Sequence, residues 1–154
     1  MSSEHQGVVS EAGGGTGLGV AGRSLRGAAS PEILEQLSEA GFLASECGLH
    51  GSAETIFACL TAIKPESPSP LIGAAMVRAR RGDVEAAIEQ LRGVVERHAD
   101  SEMAKAMLGT LLVHSERRGA LALFDEVLAT GRDSGAVSVV KCCLDLARQL
   151  ETPT

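Results

Sequence analysis

Apolar side chains return along most of this chain at three- and four-residue intervals, the period that gathers them on one face of an α-helix. The first stripe, Ile33, Leu34, Leu37, Phe42 and Leu43, opens behind Ser30, Pro31 and Glu32. A capping hydroxyl, a proline in the first turn and an acid at the positive end of the dipole mark a helix start, and Gly48 predicts its end. A second stripe of Ala53, Ile56, Phe57 and Leu60 predicts a helix over 51–63. Lys64-Pro65-Glu66-Ser67-Pro68 closes it, because proline cannot continue the hydrogen-bond ladder. Leu71, Ala74, Ala75 and Val77 predict a third helix that stops at Gly82. Asp83 is expected to cap a fourth helix carrying Ala86, Ala87, Ile88, Leu91, Val94 and Val95. Met103, Met107, Leu108, Leu111 and Leu112 form a fifth stripe, and Ala120, Leu121, Phe124, Val127 and Leu128 a sixth. Residues 134–150, with Val137, Val140, Leu144, Ala147 and Leu150, predict a seventh helix.

These helices come in pairs that repeat. Ala53, Phe57 and Leu60 return as Ala87, Leu91 and Val94, each at an offset of 34 residues. That offset is the period of a helix-turn-helix unit that stacks into a solenoid. Small residues at Gly41, Ala75 and Gly109 keep the same offset, where helices must cross closely. The third pair slips by one residue between Gly109 and Ala120, so its turn, around 115–118, is expected to be one residue shorter. The expected fold class is all-α: a helix-turn-helix solenoid of three repeats, closed by a C-terminal capping helix over its last apolar face.

The residues that carry this pattern resemble the tetratricopeptide repeat over 31–150. The first unit has Leu37, Gly41, Gly48, Ala53, Phe57 and Pro65 at that family's positions, and the second has Leu71, Ala75, Gly82, Ala87 and Leu91. Ala99 stands where the second proline would be, and the third unit keeps Gly109, Ala120 and Phe124. A narrower similarity is to the small tetratricopeptide chaperones of bacterial type III secretion, which hold translocator or needle-type subunits. It rests on the run from Leu43 through Cys47, His50 and Ala53 to Phe57, on Leu60-Thr61-Ala62-Ile63-Lys64-Pro65, and on Pro70-Leu71-Ile72-Gly73-Ala74-Ala75. This resemblance implies a cytoplasmic chaperone whose partner is a needle, filament or translocator subunit, with a co-chaperone or a homodimer left open. A general scaffold or adaptor joining two proteins is the alternative.

In such a solenoid the first helix of each unit lines the concave surface. The positions expected to line a partner-binding groove are Phe42 and Ser45, then Ile72, Met76 and Ala79, then Met103, Ala106, Thr110 and Val113. This lining is mostly apolar and suits an extended apolar peptide or the greasy face of an amphipathic helix. Ser38, Phe42, Ile72 and Met76 bring no Lys, Arg or Asn, which argues against a clamp for C-terminal carboxylates.

Composition narrows the rest. Residues 1–29 are rich in Gly and Ser and are expected to form a disordered tail ahead of a domain over 30–150. Gly17, Gly19 and Gly22 satisfy GxGxxG, but no strand precedes them and no helix opens directly after them, so phosphate binding is not expected. Aromatic residues make up only 2% against 44% hydrophobic, so the core must come from Leu, Ala, Val, Ile and Met. A formal charge of −6 without a basic cluster argues against nucleic acid. No apolar run is long enough to insert in a membrane. Cys47, Cys59, Cys142 and Cys143 lack a CxxC pair, and reduced thiols are expected. Cys47, His50 and Cys59 are conceivable metal ligands, but Gly48 separates the first two and no fourth ligand lies near, so no metal or cofactor is expected. No catalytic set of Ser, His and Asp, or of paired carboxylates, is present, and an enzyme is not expected.

Overall fold

The computed structural model describes residues 26, 27 and 29–151. The tail expected over 1–29 falls mostly outside the described residues, and the three glycines of the GxGxxG match do so entirely. The described residues form seven α-helices and no strand: α1 Pro31–Glu46, α2 His50–Ile63, α3 Ser69–Arg80, α4 Val84–Arg97, α5 Glu102–His114, α6 Ala120–Thr130 and α7 Ser134–Glu151. None of them is long and apolar enough to cross a membrane.

Each helix packs on the next, most extensively within the pairs α1/α2, α3/α4 and α5/α6. The odd-numbered helices also touch one another in order, α1 on α3, α3 on α5 and α5 on α7, whereas α2, α4 and α6 make no such contacts among themselves. The odd helices therefore form one continuous layer and the even helices a more open one. Two buried clusters run through the stack. One joins Leu34, Ala53, Phe57, Leu60, Ile63 and Val77, and the other runs from Ile72 and Ala75 through Leu91 and Phe124 to Val140.

The turns within the pairs explain why the helices double back. At the end of α1 the amide of Leu49 donates to the Ala44 carbonyl (2.8 Å) and that of Gly48 to Ser45 (3.1 Å). Asp83 to Arg78 with Gly82 to Ala79 repeats this after α3, and Arg117 to Leu112 with Glu116 to Val113 repeats it after α5. This is the Schellman closure, which needs a left-handed residue just past the helix. Gly48 (φ 77°) and Gly82 (φ 100°) supply it, but in the third turn the residue is Glu116 at φ 53°. A side chain there costs about 1 kcal/mol relative to glycine. Glu116→Gly is therefore expected to raise the thermal midpoint by a few degrees, as differential scanning calorimetry would show. An unchanged or lower midpoint would mean that the turn is not strained.

Two turn expectations need correction. Asp83 precedes α4, but its side chain caps nothing and instead accepts from Arg81, whose Nε lies 3.0 Å away. The third turn does reach Ala120 one residue early, yet its non-helical stretch, 115–119, is longer than 47–49 or 81–83. With Gly119 at φ 102°, α6 starts at Ala120 itself and lacks the first turn that α2 and α4 have before Ala53 and Ala87.

The linker into α7 is fastened by a residue the apolar pattern does not reveal. Glu102, buried at the start of α5, accepts from the amides of Asp133 (2.7 Å) and Arg132 (3.2 Å) and from the Arg132 guanidinium (3.3 Å). The Asp133 amide first, then the Thr130 hydroxyl, holds its carboxyl down at about 2. Asp133 in turn caps α7 by accepting from the Ala136 amide at 3.0 Å.

Candidate binding groove

The odd-helix layer carries an apolar groove of about 380 Å³, floored by α3 between α1 and α5. Its lining comes from Ser38 and Phe42 of α1, Phe57 of α2, Ser69, Ile72, Gly73, Met76 and Arg80 of α3, and Met103 and Met107 of α5. Phe42 and Phe57 form one wall, edge to face with ring centroids 5.0 Å apart. Glycine at 73 lets that wall exist, because a Cβ there would stand 2.6 Å from Cδ1 and Cζ of the Phe57 ring. Met76 on the floor and Met103 and Met107 on the α5 side supply a soft, adaptable surface.

Of the nine positions expected to line a groove, the structure brings four together here: Phe42, Ile72, Met76 and Met103. The other five lie elsewhere. Ala106 is fully buried and Ser45 nearly so, and neither borders the groove, although its floor and wall also include the buried Ile72 and Phe57. Ser45 lies one helical turn beyond Phe42 but rotated toward the core, and its hydroxyl is buried without a hydrogen-bond partner. Thr110 is half-buried and donates to the Ala106 carbonyl at 2.9 Å. Ala79 is half-buried and Val113 exposed, both outside the groove.

The pattern reading missed Phe57, Ser69, Gly73, Met107 and Arg80. Phe57 belongs to a second helix, and only the depth of the gap between α1 and α3 makes its ring visible from the groove. Met107 recurs four residues after Met103, and that spacing alone could have found it. Arg80 falls in the last turn of α3, where a cation is ordinarily read as a partner of the helix dipole. It is the one charged residue among the described residues lining the groove, touching Glu46 through a single Nη2–Oε1 contact of 3.4 Å.

The chain matches no protein-family model and no curated protein. The groove therefore has to be judged on its own chemistry. A larger cavity of about 600 Å³ opens on the other layer between α2, α3 and α4. Three of its rim charges engage one another, Arg81 donating to Glu54 at 3.1 Å and to Asp83, with Arg78 beside them, so this cavity is polar where the groove is apolar. Among the described residues no group of three or more His, Cys, Asp and Glu side chains gathers as a metal ion would need. Cys47 is exposed and Cys59 half-buried, while Cys142 is exposed beside a half-buried Cys143.

Proposed function

We propose that this chain is a tetratricopeptide-type solenoid that acts by binding, not catalysis. In this reading it is a cytoplasmic chaperone that shelters an apolar or amphipathic segment of a type III secretion subunit until export. The observation that supports the reading most is the groove itself. It is an apolar trough of Phe42, Ile72, Met76, Met103 and Met107, backed by the Phe42–Phe57 pair, with no acidic side chain among the described residues that line it. A subunit destined to polymerise or insert in a membrane exposes apolar surface that aggregates in water, and covering that surface is useful without any chemistry.

The experiment is co-expression. A client bound by the full chain is expected to stay soluble with it and to aggregate or be degraded without it. The informative variant is Met107→Glu. Met76 would be a poorer choice, because Arg80 lies four residues on along α3 and would pair with a new carboxylate. An unpaired carboxylate at 107 must be desolvated when a client docks, so affinity is expected to fall at least tenfold with the helical circular dichroism unchanged. Wild-type affinity in that variant would remove the groove from the binding surface.

A second reading, an adaptor that joins two proteins, draws on a separate feature. Leu146 and Leu150 of α7 are 56% and 88% exposed, do not line the groove, and could seat another protein. A client that remains soluble alone would favour this adaptor role.

A further inference from the structure

We infer that the groove takes a client segment in helical form, about three turns long, running parallel to α3 with an aspartate or glutamate at its C-terminal end held by Arg80. This rests on the sheltering role proposed above and adds the length, direction and charge of what is sheltered.

The polarity of the groove carries the argument. It follows α3 from Ser69 to Arg80, eleven helical steps or roughly 16 Å, which matches about three turns of a docked helix. Its middle is apolar, from Phe42, Ile72, Met76, Met103 and Met107. Its two ends differ. Near the start of α3 the lining is Ser69, with Ser38 across from it on α1. The Ser38 hydroxyl gives its proton to the Leu34 carbonyl at 3.0 Å, which leaves its oxygen free to accept. At the far end stands a guanidinium. A helix presents unpaired N–H groups at its start and unpaired carbonyls at its end. Hydroxyl acceptors at one end and a cation at the other therefore fix the direction of a bound helix, and an acidic residue in its last turn completes the match.

Arg80 is available for that role. Its one partner among the described residues, Glu46, is more than half exposed and contacts a single nitrogen at 3.4 Å, which leaves the other guanidinium N–H groups for a ligand. Exposed pairs of this kind contribute little and yield to a better partner. A fatty acid also combines an apolar chain with a carboxylate. One wall of the groove remains accessible, however, with Phe42 still 39% exposed, whereas small-molecule sites enclose most of their ligand.

The test titrates the full chain against three labelled amphipathic peptides that share one Leu- and Ile-rich face, read by fluorescence anisotropy. One carries two glutamates in its last turn, one carries them in its first turn, and one has lysines in the last turn. The first is expected to bind about tenfold tighter than the others. Arg80→Glu, with its fold checked by circular dichroism, is expected to reverse the preference toward the lysine peptide. Glu46→Gln is expected to tighten the first complex. Equal affinities, or a ranking that survives Arg80→Glu, would overturn the inference while leaving the apolar groove in place. Binding of dodecanoate with no peptide bound would overturn it in favour of a single-chain carboxylate. No binding by peptides or dodecanoate would overturn it together with the sheltering role.

Discussion

Phe57→Ala is expected to destabilise the fold by about 3–5 kcal/mol, the range for deleting a fully buried aromatic side chain. The ring is 1% exposed and lies between two glycines of neighbouring helices, Gly41 of α1 and Gly73 of α3, while its edge meets Phe42. Neither glycine has a side chain to move into the space a missing ring would leave, so the site can collapse only by shifting whole helices. The loss therefore belongs at the upper part of the range. Domains of this size are stable by about 5–15 kcal/mol, so the variant should unfold in markedly less urea. Phe124→Ala is the natural comparison. Phe124 is equally buried and packs on Gly109, but it does not line the groove. Both variants should lose similar stability, and only the Phe57 variant should also lose client binding among molecules that remain folded. A Phe57→Ala change below about 1 kcal/mol would mean that the stack can close without the ring.

The contrast between these two phenylalanines shows what could be learned from the letters alone. Helix existence was legible, because each stripe recurs with a helical period, and the first, second, third and sixth end at a glycine or proline. Predicted 51–63 and 134–150 became His50–Ile63 and Ser134–Glu151. Pairing was legible too: Ala53 and Ala87 stand 34 residues apart, Ala120 follows after 33, and all three lie within the core. The capping of α4 was not. Asp83 is the right residue type, but the guanidinium of Arg81, two residues before it, competes for the same carboxylate and wins. Nor was the strain in the third turn legible, because Glu116 looks like any surface acid until its φ is known.

The site was legible in its composition and less so in its membership. A helical stripe gives an angle about the helix axis to within roughly one residue, or about 100°, and that uncertainty separates Phe42, in the groove, from Ser45, in the core. Depth adds a second ambiguity that periodicity cannot resolve. Ala106 and Met103 lie three apart on α5 and share a face, yet Ala106 is covered by its neighbours because its side chain is short. The larger residues of the stripe, Phe42, Ile72, Met76 and Met103, reached the groove, and the smaller ones did not. Charge was legible only in bulk: a net −6 gives no hint that the groove's one ionised side chain is a cation.

Gly73→Ala separates the packing account from ordinary helix propensity, because the two predict opposite signs. Inside a helix, alanine is favoured over glycine by about 0.8–1 kcal/mol, so the exchange would stabilise α3 if nothing stood in the way. The Phe57 ring does stand in the way, with a new Cβ 2.6 Å from two of its carbons, well inside contact distance. A flexible side chain could swing aside, but this ring is backed by Gly41, where a Cβ would also come within 2.9 Å of it. It has no second place to go. Overpacking of this kind costs about 1–3 kcal/mol, which exceeds the propensity gain, so a net loss of stability is expected. Gly93→Ala in α4 supplies the opposite case. There the nearest atom to a new Cβ is the end of the Arg97 side chain at 3.9 Å, and the propensity gain should appear undiminished. Adding Phe57→Leu to Gly73→Ala should recover part of the loss, giving a coupling energy between residues 57 and 73 that a double-mutant cycle in urea would measure. If both glycine exchanges stabilise the protein, the close approach of α3 to the Phe57 ring is not what sets the spacing of the stack.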